Sequence, residues 1–238
     1  MVERSLVPRS PLRRVLRFAV VAAAATLLLL AGLVLLFRFA PPPSTLMLGR
    51  WILSEPVDRR WVPLSEISPR LVAAVVASED ARFCRHGGVD WEALREVIEE
   101  AGEDGPSRGA STITMQTVKN VFLWPGRSMI RKGIEIPLAT VVDFVWSKER
   151  VMEVYLNVAE WGPGVFGAEA AARRHFRKSA SELTAREAAL LAAALPNPLR
   201  RDPGRPGPGL LRLAGTVMAK AAAVDPWLDC LPTARRGR

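Results

Sequence analysis

The sequence is poor in the residues that build covalent or metal-bound frameworks, because its 238 residues include two cysteines and two histidines. Cys84 and Cys230 are too few for a disulfide framework, and we expect both thiols to be unpaired. No cysteine and histidine cluster has the spacing of a zinc site. Segments that alternate apolar and polar residues are scarce and no internal repeat is present, so the sequence predicts a predominantly α fold.

Acidic residues are fewer than basic ones, 24 against 33, and the formal net charge is +9. Such an excess favours anionic partners: nucleic acid, lipid headgroups or pyrophosphates. Residues Phe18–Phe37 contain no charge, and about 20 helical residues span roughly 30 Å, the thickness of a bilayer core. A cleaved signal peptide, the alternative, has a shorter apolar stretch and a small-residue cleavage site. We therefore predict an uncleaved transmembrane helix, and no nucleic-acid partner.

Arginine is concentrated on one side of this helix, with five residues before it and only Arg38 closely behind. The positive-inside rule then predicts a cytoplasmic N-terminus and a folded domain outside the inner membrane, in the periplasm or extracellular space. About 150 residues remain for that domain, enough to bury a core. The predicted order is a cytoplasmic basic segment at 1–17, the transmembrane helix at 18–37, a juxtamembrane linker at 38–60, one domain at 61–200, and a Pro/Gly-rich segment with a short helix and basic tail at 201–238.

Helix boundaries in the domain are predicted from capping residues and apolar spacing. Residues 112–121 fit either a helix or a strand, and residues 131–146 look helical with a kink or break at Pro137. Residues 210–224 predict a last helix. The expected N-terminal caps are Ser68 before Pro69, Asp90, Ser147, and a capping box of Thr184 with Glu187.

Four polar motifs follow one another along the predicted domain. The acid pair Glu79-Asp80 lies at the C-terminal end of a predicted helix, where the helix dipole disfavours negative charge. A functional role explains such a pair more easily than a contribution to stability does. An acid pair, a hydroxyl and amide loop, and a basic pair in this order indicate an enzyme for an anionic, phosphate-bearing substrate. The motifs are Glu79-Asp80-x-x-Phe83-x-x-His86-x-Gly88-x-Asp90, then Gly109-x-Ser111-Thr112-Ile113-Thr114-x-Gln116-x-x-Lys119-Asn120, then Arg131-Lys132-x-x-Glu135, and Glu153-x-Tyr155-Leu156-Asn157 continuing to Trp161-Gly162-x-Gly164-x-x-Gly167.

Together these motifs resemble those of the peptidoglycan glycosyltransferases, a family that includes the glycosyltransferase domain of class A penicillin-binding proteins. The resemblance runs from about Trp61 to Asn197 and, by chain size, points to the monofunctional biosynthetic transglycosylases. It implies a mostly α, lysozyme-like domain that polymerises lipid II into glycan strands, with β-1,4 linkage, inversion and release of undecaprenyl pyrophosphate. Ala110 stands where the family usually has glycine, and Met115 where glutamine is common; both departures concern the loop, not the carboxylates or the basic pair.

The resemblance implies two catalytic acids. Glu79 would be the base that deprotonates the 4-hydroxyl of the acceptor GlcNAc, aided by a pKa that burial raises; a solvated helix-end acid is the alternative. Glu135 would lie near the pyrophosphate or the donor sugar, where it stabilises positive charge or orients Arg131 and Lys132. Its spacing of four residues also permits an intrahelical pair with Arg131.

The leaving pyrophosphate needs cations or oriented donors. A solvated basic face and helix capping by Ser111 or Thr112 are the alternative explanations of the same residues. We expect no tightly bound cofactor and no protein metal site, although a divalent cation, Mg²⁺ or Mn²⁺, is compatible with a bridging position on the pyrophosphate. The resemblance implies substrate binding by Lys119, Arg131, Lys132, Ser111, Thr112 and Gln116.

The remaining motif residues are expected to support the site. Asp80 would orient Glu79 or the backbone, Phe83 would pack the motif, and His86 would order its loop. Tyr155 and Asn157 would support the cleft from behind. Residues 122–124 predict either a surface that dips into the outer leaflet or ordinary core packing. Expected partners are lipid II, the lipid-linked growing strand, membrane lipids, and other cell-wall synthesis and division proteins. A membrane-anchored muramidase and a non-catalytic scaffold are the alternative functions.

Overall fold

The structure is a computed structural model that describes residues 11–100, 109–126, 128–224 and 228–231. It divides into a first unit at Met1–Ala40 and a second at Pro41–Arg238. Most of the predicted cytoplasmic segment 1–17 and the end of the predicted basic tail lie outside the described ranges.

The first unit contains helix α1, Pro11–Phe37. Its stretch Leu12–Phe37 has a mean hydropathy of 2.8, and by length and composition it can cross a membrane. The helix ends at the predicted residue but begins before the predicted start at Phe18. Its first turns therefore carry basic residues, Arg13, Arg14 and Arg17.

The second unit is mostly helical, which confirms the predicted fold class. A small sheet has the strand order β1-β3-β2, with β1 parallel and β2 antiparallel to β3. The strands are β1 Asp58–Arg59, β2 Glu160–Gly162 and β3 Val165–Phe166. The helices are α2 Thr45–Ile52, α3 Pro69–Glu79, α4 Trp91–Glu100, α5 Ile113–Phe122, α6 Met129–Val145, α7 Lys148–Val158, α8 Ala168–Phe176, α9 Ala185–Ala194 and α10 Pro208–Val224.

Helix α3 lies at the centre of the second unit. All residues from Leu71 to Ala77 are buried, because the helix is apolar around its whole circumference and packs against α9 and α10. A second group of helices forms where α5 packs against α6 and α7. The C-terminal end of α3 therefore delivers Glu79 and Asp80 to the side of the domain where α5 begins.

Three of the four predicted caps are confirmed by a capping hydrogen bond. The Asp90 carboxylate accepts from the Ala93 amide at 2.9 Å, the Ser147 hydroxyl accepts from the Arg150 amide, and Thr184 forms its capping box with Glu187. Ser68 is the N-cap residue of α3 and Pro69 begins the helix, as predicted, but the Ser68 hydroxyl makes no capping hydrogen bond and donates instead to the Leu183 carbonyl at 3.0 Å. That bond ties the start of α3 to the segment before α9.

Two open predictions about helices are resolved. Residues 113–122 form helix α5, capped by the Thr112 hydroxyl, which accepts from the Met115 amide. The buried positions of α5 recur at helical spacing, which decides between helix and strand. Helix α6 continues through Pro137, so the predicted break does not occur.

The prediction that both cysteines are unpaired is wrong, because Cys84 and Cys230 form a disulfide across 146 positions of sequence. Helix α10 packs against α3 and carries the chain end back to the 3₁₀ turn Phe83–Arg85, which follows α3. The pairing depends on this long-range packing, so the spacing of the two cysteines along the chain gave no sign of it.

Candidate active site

Glu79 is half-buried at the end of α3. Its carboxylate oxygen Oε2 accepts from the Gln116 side-chain amide at 2.9 Å. Burial raises the pKa of Glu79, and the neighbouring Asp80 charge adds to that rise, whereas the hydrogen bond from Gln116 and the charges of Lys119 and Arg201 oppose it. A carboxyl with a raised pKa is a stronger base when ionised, which suits proton abstraction from a hydroxyl.

The amide of Gln116 is held in one orientation by Tyr155. The buried Tyr155 hydroxyl donates to Gln116 Oε1 at 3.2 Å, and burial, with the charges of Glu79 and Asp80, raises the pKa of the phenol well above its usual range. The phenol therefore stays a donor, so the amide oxygen faces Tyr155 and the amide nitrogen faces Glu79. This chain fixes the position of the Glu79 carboxylate from behind.

Asp80 points to the backbone of α5 and to the loop that follows α3. Its Oδ2 accepts from the Ile113 amide at 2.9 Å, and its Oδ1 lies 2.9 Å from His86 Nε2. The next acid, Asp90, accepts two hydrogen bonds from Arg82. Burial raises the pKa of Asp90, but the hydrogen bonds from the Ala93 amide and Arg82 lower it by more than burial raises it. The net pKa of Asp90 is therefore lowered.

The ligand atoms of Asp80, His86 and Asp90 lie within 4.8 Å of one another, a spacing that could hold a metal ion. Both carboxylates already accept hydrogen bonds from protein donors, the Ile113 amide and Arg82. The donors present make the group an ion-pair network that fixes the first motif, and we assign it no metal.

The rest of the first motif is pinned to α5, α6 and α7. Lys148 lies over the buried Phe83 ring, 4.6 Å from its centroid, and donates to the His86 carbonyl at 2.7 Å. Gly88 has a φ of +86°, and a Cβ there would lie 2.5 Å from the Ala139 carbonyl oxygen, so only glycine fits. The Thr112 hydroxyl donates to the Gly88 carbonyl at 2.6 Å. These contacts set the distance between the first motif and α6.

The third motif forms a buried ion cluster on α6. Glu135 is 2% exposed and pairs with Arg131, one turn earlier, through Arg131 Nη1. Lys132 Nζ lies 2.8 Å from the other Glu135 oxygen and 2.9 Å from the Ser111 hydroxyl. Arg131 Nε also donates to the Gly126 carbonyl at 3.1 Å. The predicted intrahelical pair is present, and one carboxylate orients both cations.

Lys119 on α5 connects the two halves of the site. Burial lowers the pKa of Lys119, and its charged neighbours include Glu79 and, from α6, Glu135, Arg131 and Lys132. The base candidate and the cation cluster are therefore both neighbours of Lys119, which brings the first and third motifs together.

Three other motif residues bond to the protein or pack in its core: Thr112, predicted to bind substrate, Asn157, predicted to support the cleft from behind, and Met115, a departure from the resembled motif. The Thr112 hydroxyl caps α5 and donates to the Gly88 carbonyl, so both of its hydrogen-bonding roles are already used within the protein. Asn157 is buried and its amide bonds to both backbone groups of Val62. Met115 is 1% exposed, so this departure from the resembled motif packs in the core.

Sequence reasoning missed two features of the site. Arg201 interacts electrostatically with Glu79, yet it lies in a segment whose proline, glycine and arginine content predicted only a loop. Asp143 accepts from Thr114 at 3.1 Å and pairs with Lys148 at 2.7 Å. Neither residue belongs to a polar motif, so the sequence held no signal for either.

A half-buried carboxylate near a buried cation cluster suits the transfer of a sugar from a pyrophosphate donor, which needs a base for the acceptor and cations for the leaving group. Comparison with known sequences agrees: a sequence model described as Transglycosylase matches residues 47–221. The chain belongs to this family, whose domain is lysozyme-like.

Relatives at high identity cover most of the chain, and each carries the name biosynthetic peptidoglycan transglycosylase. The protein from Agrobacterium fabrum is 56% identical over 193 residues, which cover 81% of this chain and 85% of that protein. The protein from Nitrobacter winogradskyi is 53% identical over 90% of this chain and 95% of its own length. The protein from Rhizobium meliloti is 52% identical, and the match covers 92% of each.

Proposed function

We propose that this chain is a peptidoglycan glycosyltransferase that polymerises lipid II into glycan strands during cell-wall synthesis. The observation that carries the proposal is that Lys119 has both the Glu79 carboxylate and the ion cluster of Arg131, Lys132 and Glu135 among its charged neighbours. Glycosyl transfer from a pyrophosphate donor needs a base and a cation site on either side of one reacting carbon.

In the proposed reaction, the ionised Glu79 takes the proton from the 4-hydroxyl of the acceptor GlcNAc. The hydroxyl oxygen forms a bond to the anomeric carbon of the lipid-linked donor strand from the face opposite the leaving group. The hydrogen bond from Gln116 aims the Glu79 carboxylate while burial keeps its pKa raised. The α-linked donor becomes a β-1,4 linkage, with inversion.

The bond between the anomeric carbon and the pyrophosphate oxygen breaks as the new bond forms, and undecaprenyl pyrophosphate leaves with the electron pair. Arg131 supplies a planar fork for phosphate oxygens, and Lys132 and Lys119 supply compact charges. Glu135 orients Arg131 and Lys132 before the substrate arrives. The Ser111 hydroxyl, which holds Lys132, completes this group.

The same contacts explain why we assign the protein no tightly bound cofactor. The Glu135 carboxylate is shared by two cations, so it does not offer oxygens to a divalent metal. Mg²⁺ or Mn²⁺ would instead be held by the substrate's own pyrophosphate oxygens and would offset their charge.

We place the protein in the inner membrane as a single-pass protein with a cytoplasmic N-terminus and a periplasmic or extracellular domain. Two observations support this orientation. Arginines precede the apolar part of α1, and the Cys84–Cys230 disulfide suits the oxidising side of the membrane.

Membrane lipid and the polyprenyl chain are the partners that an apolar face of α6 fits. Phe144 is 91% exposed, although it is a phenylalanine on a helix that packs against α5. Four exposed apolar residues of α6, spaced by four, seven and three positions, fall on one stripe of the helix. Nearby in sequence, Trp124 is exposed and Leu123 is buried. Residues 122–124 therefore include one residue available to a membrane surface and one that packs in the core. The stripe comprises Ile130, Ile134, Val141 and Phe144.

The reaction class is tested with labelled lipid II, a preformed glycan and the detergent-solubilised full chain. We expect long, lysozyme-sensitive strands from lipid II and no fragments from the glycan. Fragments from the glycan without strands would show a muramidase. Inactivity on both, with the protein shown to be folded, would show a scaffold, whose function would be to bind other cell-wall synthesis or division proteins.

A further inference from the structure

A cavity of about 640 Å³ opens between the end of α8 and the segment that joins α9 to α10. We call it the arginine cavity, because its lining includes Arg174, Arg177, Arg200, Arg201 and Arg205. Among the described residues that line it, Asp202 alone is acidic. None of these residues belongs to the four motifs.

The charge of the arginine cavity is not neutralised by the protein. Asp202 Oδ1 already accepts from the Gly204 amide at 2.8 Å and lies 3.1 Å from His175 Nδ1. Arg201 donates to the Ala193 carbonyl at 2.7 Å. The other four guanidinium groups have no hydrogen bond or ion pair with any described residue. Four unpaired arginines on one concave surface repel one another, and an anionic ligand removes that repulsion.

Arg177 occupies a position that the backbone would give to glycine. It caps the C-terminus of α8 with a φ of 59° and a ψ of 33°, in the left-handed region that costs a residue with a side chain about 1 kcal/mol. Its guanidinium has no hydrogen bond or ion pair with a described residue, so no polar contact of the protein offsets that cost.

The arginine cavity is linked to Glu79 and to the fourth motif through two of its lining residues. Arg201, in its lining, interacts electrostatically with Glu79. His175, also in its lining, lies 3.0 Å from the carbonyl of Trp161 in the fourth motif. Lys119 and Arg201 both interact with Glu79, and Lys119 also interacts with the cation cluster on α6. Glu79 therefore neighbours a residue of the arginine cavity as well as a residue next to the proposed pyrophosphate site.

If Glu79 receives the proton of the acceptor hydroxyl, the acceptor extends from Glu79 away from the donor pyrophosphate. The arginine cavity, whose Arg201 interacts with Glu79, is then a cationic surface within reach of the next sugar of the acceptor and its substituents. That sugar carries a peptide with several carboxylates and a pyrophosphate. Planar guanidinium forks bind carboxylates through two parallel hydrogen bonds, and arginines distributed over two chain segments match separate single charges better than one compact pyrophosphate.

We propose that the arginine cavity binds the peptide carboxylates of the acceptor substrate, a subsite that rests on the proposed glycosyltransferase function. It distinguishes acceptors by the charge of their peptides and contributes to binding, not to the chemical step. Loss of its arginines therefore raises KM and leaves kcat unchanged.

The test uses the detergent-solubilised full chain with Arg174→Gln and Arg205→Gln combined. Arg95→Gln is the matched control, since Arg95 is an exposed helical arginine outside the cavity lining. KM and kcat are measured for lipid II with free peptide carboxylates and for lipid II with the same carboxylates amidated. We expect the double variant to raise KM about tenfold for the free-carboxylate substrate alone, with kcat unchanged.

Two outcomes of the KM measurement would overturn the proposal. An equal rise in KM for both substrates would show that the arginines bind the pyrophosphate, and an unchanged KM would show that they bind neither group; both would overturn the proposal. Wild-type protein in the same assay tests the function on which the proposal rests. Absence of any polymer from wild-type protein would overturn both, whereas polymer without carboxylate discrimination would overturn the subsite alone.

Discussion

The ion cluster on α6 gives the sharpest prediction about how the substrate site is held before lipid II binds. Glu135→Gln removes the carboxylate that faces both Arg131 and Lys132. A glutamine keeps the shape and one acceptor oxygen, but it turns a donor toward one of the two cations. In the variant, at least one of the two cations faces the glutamine NH₂ group or the other cation, with no carboxylate to offset its charge.

The side chains of Arg131 and Glu135 are 9% and 3% exposed, and that of Lys132 is 30% exposed. Removal of one partner from a buried pair costs about 3–5 kcal/mol. We expect the lower limit, about 3 kcal/mol, because Lys132 reaches water and Arg131 keeps its bond to the Gly126 carbonyl. For a domain of this size the melting temperature then falls by roughly 6–12 °C.

The measurement is thermal unfolding of the full chain in detergent, with Asp58→Asn as the control. The Asp58–Arg60 pair is 3.8 Å long and its side chains are 52% and 56% exposed, so its loss costs less than about 1 kcal/mol. Inorganic pyrophosphate should raise the melting temperature of Glu135→Gln more than that of wild type, because the freed cations need an anion. Equal stability of the Glu135→Gln and Asp58→Asn variants, with an equal response to pyrophosphate, would refute this reasoning.

Three further predictions concern the pKa of Glu79, its effect on stability, and the disulfide. Gln116→Leu removes a hydrogen bond that lowers the pKa of Glu79, so the acid limb of the pH profile of kcat/KM moves to higher pH; an unmoved limb would contradict Glu79 as the titrating base. Because the folded pKa of Glu79 is raised above its ordinary value of 4.5, the stability contributed by its neutral form is lost as pH rises through the folded pKa. Denaturant unfolding of Glu79→Gln should therefore show a gain in stability at neutral pH that disappears below the ordinary pKa, and a loss at neutral pH would count against the burial argument. Cys84→Ser opens a loop of 146 positions and should reduce the free energy of unfolding by about 5 kcal/mol, the loop-closure entropy of a loop of that length; a chemically reduced wild type should match it.

Local sequence rules predicted those parts of the molecule that local contacts decide. The cap at Asp90, the capping box at Thr184 and the spacing between Arg131 and Glu135 each involve residues three or four positions apart. The order of the motifs on the chain likewise indicated a carboxylate followed by a cation site.

Long-range contacts decided the remainder, and the sequence could not supply them. Cys84 meets Cys230 because α10 packs on α3. The Ser68 hydroxyl bonds to Leu183, 115 positions away, instead of to the backbone of its own helix. The arginine cavity needs α8 and the segment after α9 to meet. In each case a residue with an ordinary local explanation acquires its partner only from the tertiary structure.

The central claim is that Glu79 is the base of glycosyl transfer, and the most direct test is the turnover of Glu79→Gln at saturating lipid II. The glutamine keeps an acceptor for the Gln116 amide but cannot take a proton. We predict that kcat falls by about 10²–10⁴-fold while the Kd for lipid II stays within a few-fold of wild type. A kcat within tenfold of wild type, in protein shown to be folded, would contradict the account.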